Sequence, residues 1–169
     1  MINQNTPMLL FRYSNYKRLR FIDEHIKIIQ NSGYVWMMKM GKKTSSEKIK
    51  NIIKNGGYIV FKSPIAEGNR FYIGRFVDFC EELPPDDDHM PGYYSEIVNE
   101  ENFWEAPTQY FKLIDILPMD ERYTPLLRLK INQKKVLDVV NETRTAVMFI
   151  ECSEDINISL KIKERKNGK

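Results

Sequence analysis

Aromatic and basic side chains interleave along the first half of the chain and again past residue 90. Tyr34, Trp36, Tyr58, Phe61, Tyr72, Tyr93, Tyr94, Phe103 and Trp104 stand near Lys39, Lys42, Lys43, Lys62, Arg70 and Arg75. Aromatic faces stack on nucleobases and cations touch phosphates, so this mixture suits a nucleic-acid ligand. The structural alternative is that strand aromatics simply form a core, and it applies best to Phe61, Phe71 and Phe76. Lys42 and Lys43 stand apart. They follow a strand and precede a helix N-terminus, where free N–H groups and the helix dipole already favour an anion.

Other chemistry is sparse. The chain has two histidines and two cysteines. His25 falls on a helix and reads as structural. His89 follows Asp86-Asp87-Asp88, oxygen ligands of the kind a divalent cation takes, but three prolines nearby mark a solvated loop, and we expect no metal and no cofactor. Cys80 and Cys152 fit no metal spacing and read as buried, inert thiols of a reducing, cytoplasmic setting. There is no HExxH, no GxxxxGK, no serine elbow and no paired-cysteine motif. The sequence does not ask for an enzyme, so no catalytic residue is assigned.

Charge is distributed unevenly. Residues 1–80 carry 14 Lys/Arg against 5 Asp/Glu, residues 81–125 carry 2 against 12, and residues 126–169 carry 10 against 6. A basic first half attracts a polyanion. The acidic middle confines such binding to one face. It also offers a second reading, a protein-interaction or inhibitory surface at 81–125 that meets a basic partner. No 18-residue apolar run spans a membrane, and the N-terminal MINQNTPMLLF lacks the pattern of a signal peptide.

The elements that must position these residues follow from periodicity. Strands are expected at 8–13, 34–40, 58–62, 70–79, 111–117, 126–131, 146–151 and 156–162. Leu19, Ile22, Ile26 and Ile29 recur at helical spacing and predict a helix over 17–30, stopped at Asn31-Ser32-Gly33. Thr44-Ser45-Ser46-Glu47 reads as a capping box for a short second helix carrying Ile49, Ile52 and Ile53. Residues 136–140 form a turn or a short helix. Gly74 inside RFYIGRFVDF marks a bulge, a bend or a close approach. EELPPDDDHMPG, residues 81–92, is an acidic loop, and 163–169 is a frayed basic end. Several strands are apolar on both faces, which a closed sheet would explain. The chain therefore reads as one α+β domain over 1–169, a small mixed β-barrel with two early helices.

Gly33 to Lys43, the strands YIVFK and RFYIGRF, Pro91-Gly92-Tyr93-Tyr94 and YFKLIDI together resemble the PUA-like superfamily, and within it the EVE-type members, over roughly residues 7–162. The resemblance implies a pseudobarrel that binds DNA or RNA and takes a flipped, modified base such as methylated cytosine into an aromatic pocket. Carried onto this chain, it sets Trp36, Met37 and Lys39 at the pocket edge and Ser63 after the pocket strand. Tyr94 or Trp104 supplies a stacking wall, and Asp78 or Asp115 accepts from an exocyclic amine. Related ASCH-type barrels look like nucleases or amidohydrolases. That alternative would need Lys39, Lys62, Asp78 or Glu96 as a perturbed acid or base.

Overall fold

A computed structural model describes residues 1–99 and 106–164. The chain forms β1 (Met8–Arg12), α1 (Phe21–Ser32), β2 (Val35–Met40), α2 (Ser46–Lys54), β3 (Tyr58–Lys62), β4 (Phe71–Cys80), α3 (Tyr94–Val98), β5 (Pro107–Pro118), β6 (Leu127–Leu129), α4 (Val136–Val139) and β7 (Val147–Cys152). Short 3-10 turns occupy Ile65–Glu67, Asp87–His89 and Thr124–Leu126.

All seven strands join one sheet in the order β2-β5-β4-β3-β1-β7-β6. Neighbours are antiparallel except β1 and β3, which run parallel with Leu9 opposite Ile59 and Phe11 opposite Phe61. A parallel pair needs a long crossover, and α1, β2 and α2 fill it.

The sheet is mixed, as expected, but it does not close, so the expected PUA-like pseudobarrel is not the fold. Its terminal strands are β2 and β6, and each edge meets something other than a strand. On β2, the Met38 N–H donates to the Tyr94 hydroxyl at 3.2 Å. On β6, the Leu129 N–H donates to the Lys134 carbonyl at 2.8 Å, so the chain's own turn covers that edge. Strands apolar on both faces had suggested closure; burial of both faces of an open sheet produces the same pattern. On one face α1 and α2 cover Leu9, Ile59, Phe61, Phe76, Phe111 and Leu113. On the other, Met8, Leu10, Val60, Ile73 and Ile150 meet Ile2, α4 and the C-terminal Ile156 and Leu160.

Local chemistry explains the element boundaries. α1 buries Phe21, Ile22, His25 and Ile29, a single stripe at helical spacing. It begins four residues later than the periodicity of Leu19 suggested. Tyr16 and Leu19 exchange backbone hydrogen bonds in a turn, and Lys17 sits at φ 56. Gly33 ends the helix at φ 91, with its N–H on the Ile29 carbonyl. For α2 the cap is Ser45, not Thr44: its Oγ accepts the Lys48 N–H at 3.3 Å. Thr44 is held instead by Gln109, whose amide bonds both its N–H and its carbonyl.

Gly74 marks both a bulge and a close approach. A Cβ there would meet the Asp115 carbonyl at 2.6 Å, and the register with β5 shifts just beyond it, around Phe76. The segment expected as a strand at 156–162 forms only a single bridge, Ile2 to Ile156. Tyr94–Val98 is a helix, although its sequence read only as a return of aromatic content. Among the described residues, no helix is long and apolar enough to cross a membrane.

Candidate functional site

Two cavities flank the segment joining β1 to α1, residues 13–20. The first is an aromatic cleft of about 340 Å³ between that segment, β2 and α3. Phe11, Tyr16, Phe21, Tyr93 and Tyr94 supply rings, Met38 and Met40 supply adaptable apolar surface, and Arg12 and Lys39 supply charge. Its volume falls within the range of small-ligand pockets, about 300–1,000 Å³.

The wall is built from ring pairs. Tyr16 and Tyr93 lie nearly parallel, centroids 5.6 Å apart. Tyr93 meets Tyr94 edge-on at 5.1 Å, and Phe21 lies 5.9 Å from Phe11. Phe11 and Tyr16 are half-buried while Phe21, Tyr93 and Tyr94 are buried, so Phe11 and Tyr16 are the rings of this group best placed to meet a ligand.

Behind the wall lies a closed hydrogen-bond chain. His25 is fully buried. Its Nδ1 faces the Phe21 carbonyl at 2.6 Å and therefore carries the proton. Nε2 is then an acceptor, and the Tyr94 hydroxyl donates to it. The Tyr94 oxygen accepts the Met38 N–H in turn. Burial lowers the His25 pKa to about 4, only partly offset by the Phe21 carbonyl, so the imidazole is neutral. Burial likewise raises Tyr94 well above its ordinary value. These groups form a clamp joining α1, β2 and α3; every polar atom in it has a use.

Cationic side chains at the cleft are anchored. Arg12 donates to the Thr143 carbonyl at 2.6 Å. The Lys39 ammonium donates to the Lys42 carbonyl. Arg12, with five N–H donors, retains further capacity.

The acidic loop packs against the adjoining edge. Tyr34 and Trp36 both donate to Asp86, the Trp36 Nε1 at 2.9 Å. His89 stacks on Tyr34, centroids 4.1 Å apart and 3° from parallel. Burial would raise the Asp86 carboxyl, but the bonds from Tyr34 and Trp36, together with its own backbone N–H and nearby His89, outweigh it and hold the group below its ordinary value. Among the described residues, no group of three His, Cys, Asp or Glu side chains is arranged to hold a metal.

The residues singled out from sequence scatter. Lys39 and Tyr94 line the cleft. Trp36 shares a cluster with Tyr93 and Tyr94 but is spent on Asp86. Met37 is fully buried in the core under α1. Ser63 is a turn residue, accepting the Arg70 N–H at 2.8 Å and donating to the Pro64 carbonyl at 3.1 Å. Lys62 donates to the Ser63 carbonyl, and burial lowers its pKa with help from Arg12. Arg75 donates to the Gly56 carbonyl at 2.5 Å and lies over the Tyr58 ring. Asp78 is exposed and accepts the Phe79 N–H, and Asp115 accepts the Lys161 N–H, both away from the cleft. Lys43 pairs with Glu81 at 3.3 Å, and Lys42 is exposed before α2. Trp104 and Phe103 lie outside the described residues.

Sequence reasoning missed the segment Phe11-Arg12-Tyr13-Ser14-Asn15-Tyr16-Lys17-Arg18-Leu19-Arg20. Its alternation of rings and cations was visible, but periodicity assigns 11–13 to a strand and 17–20 to a helix.

The second cavity, about 260 Å³, opens on the other side of this segment. Tyr13, Asn15, Arg20, Asp23, Glu67, Arg70 and Tyr72 line it, and Asn15 lines both cavities.

Compared with known proteins, the chain matches no family model, no curated protein and no solved structure.

Proposed function

We propose that this protein binds nucleic acid by receiving an unstacked base in the aromatic cleft. The observation that carries this is the cleft itself: about 340 Å³ of space beside the stacked Tyr16–Tyr93 pair, with Arg12 and Lys39 in its lining. A planar, polarisable ligand gains from stacking there, about 1–3 kcal/mol per base. Cations beside it suit a ligand whose planar group is joined to phosphates.

The energetics favour a base that is already free. Extruding one from a duplex costs a few kcal/mol, comparable with the stacking gain. A methyl group on the base adds about 1 kcal/mol through burial, so the cleft discriminates modified from plain bases chiefly by shape. Two reduced cysteines fit a cytoplasmic setting for such a ligand.

Fluorescence anisotropy tests this with short duplex DNA, single strands and RNA, with and without methylated cytosine or adenine. Binding that depends on an intact base and persists at about 0.3 M salt supports the cleft. Binding to every strand that vanishes with salt, or unchanged binding after Tyr16→Ala, overturns it.

A further inference from the structure

The polar cavity has an unusual charge balance. Arg20 and Arg70 face it together with Glu67 and Asp23. Neither arginine forms an ion pair among the described residues. Both side chains are exposed, yet their backbones are fixed. The Ser63–Arg70 pair closes the β3–β4 connection at 2.9 Å, and the Arg20 carbonyl accepts the Glu24 N–H at 3.0 Å in the first turn of α1.

Glu67 is held as an oriented acceptor. The Tyr13 hydroxyl donates to one carboxylate oxygen at 3.0 Å, and the Asn15 amide donates to the other at 2.6 Å. Asn15 is itself fixed, because its Oδ1 accepts the Phe21 N–H at 2.9 Å. Burial and the Glu67 carboxylate both raise the Tyr13 pKa, so the hydroxyl keeps its proton and donates. A carboxylate has about four acceptor positions; these two bonds leave the others for a ligand.

A site with two cations and two carboxylates is no simple anion hole. It suits a ligand that carries a phosphate beside a hydroxyl donor. In a polynucleotide chain the sugar hydroxyl is the 2′-hydroxyl, and only RNA has it. Asn15 borders both cavities, so the two adjoin along residues 13–20 and one nucleic-acid strand could occupy both.

Building on the cleft as a base site, we infer that the polar cavity is a ribose–phosphate subsite and that the ligand is RNA. Arg20 and Arg70 take the phosphate, and Glu67 accepts from the 2′-hydroxyl.

The test compares the full chain's affinity for one short single strand in four forms: RNA, 2′-deoxy, 2′-O-methyl, and RNA with an abasic site. Loss of one hydrogen bond to a charged acceptor should weaken the deoxy and 2′-O-methyl strands about tenfold, or about 1.4 kcal/mol. Glu67→Gln should narrow that gap. Arg20→Gln with Arg70→Gln should flatten the salt dependence by about 0.7 per arginine in log–log slope. Equal binding of RNA, deoxy and 2′-O-methyl strands, with the abasic strand weaker, overturns the ribose subsite and leaves the cleft standing. Preference for RNA with no loss on the abasic strand overturns the cleft and leaves the subsite. No binding of any strand overturns both.

Discussion

The Tyr94 hydroxyl donates to Nε2 of His25 while its oxygen accepts the amide of Met38. One side chain from α3 thus satisfies a buried imidazole on α1 and a backbone donor on the terminal strand of the sheet. The cleft wall rests on this arrangement, because Tyr93 packs edge-on against Tyr94.

Tyr94→Phe should therefore be costly although it removes a single atom. It strands His25 Nε2 and the Met38 N–H in a buried site, at about 1–3 kcal/mol for each unsatisfied group. We expect a lower urea midpoint with an unchanged slope. A loss below about 0.5 kcal/mol, the scale of an ordinary surface substitution, would count against the clamp.

Stability should also fall on mild acidification. His25 has a pKa of about 4 when folded and 6.5 as the ordinary value. Above 6.5 it is neutral in both states and costs nothing. Between 6.5 and about 4 the unfolded chain takes up a proton that the folded chain refuses, so stability drops as pH falls, by about 3 kcal/mol over that window. Below about 4 this group contributes no further loss. The Asp86 contribution runs differently, because its folded pKa is depressed: it is lost only at still lower pH. Urea midpoints across this range, with His25 ring shifts followed by NMR, check the assignment; a His25 ring that titrates near its ordinary value would refute it.

Asp86→Ala should release the acidic loop. The indole N–H of Trp36, a residue only 5% exposed, would lose its acceptor, at about 1–3 kcal/mol. Hydrogen exchange at residues 81–92 should accelerate while exchange in β4 and β5 is unchanged. Asp86→Asn, which retains one carbonyl oxygen, should lie between the two.

Tyr16→Ala should weaken base-dependent binding about tenfold or more, the size of one lost stack, with little change in melting temperature, because the ring is only half-buried. Arg75→Gln, by contrast, should leave binding unchanged. Its guanidinium is spent on the Gly56 carbonyl and the Tyr58 ring.

Gly57→Ala tests the junction of α2, β3 and β4. Gly57 sits at φ 68, and a Cβ there would meet the Phe76 carbonyl at 2.0 Å. The variant should be destabilised by more than about 1 kcal/mol in thermal unfolding.

Local physics was legible in the sequence. The strand-forming composition of Tyr58–Lys62 and the runs at Phe71–Cys80 and Val147–Cys152 identified strands to within a residue, because β-branched and aromatic side chains suit a pleated strand whichever strand pairs with it. The stop at Gly33 was readable because left-handed backbone favours glycine. The mix of rings and cations, too, was present in composition. Tertiary structure decided the rest. A strand buried on both faces reads alike in a barrel and in an open sheet, so only the pairing order, with Tyr94 and Lys134 occupying the two edges, showed the sheet to be open. Nor could any spacing tell that Trp36 serves Asp86 fifty residues away, or that Tyr16 stacks on Tyr93 in the cleft wall. Those contacts join residues far apart in the chain, and local periodicity carries no record of which distant partner completes them.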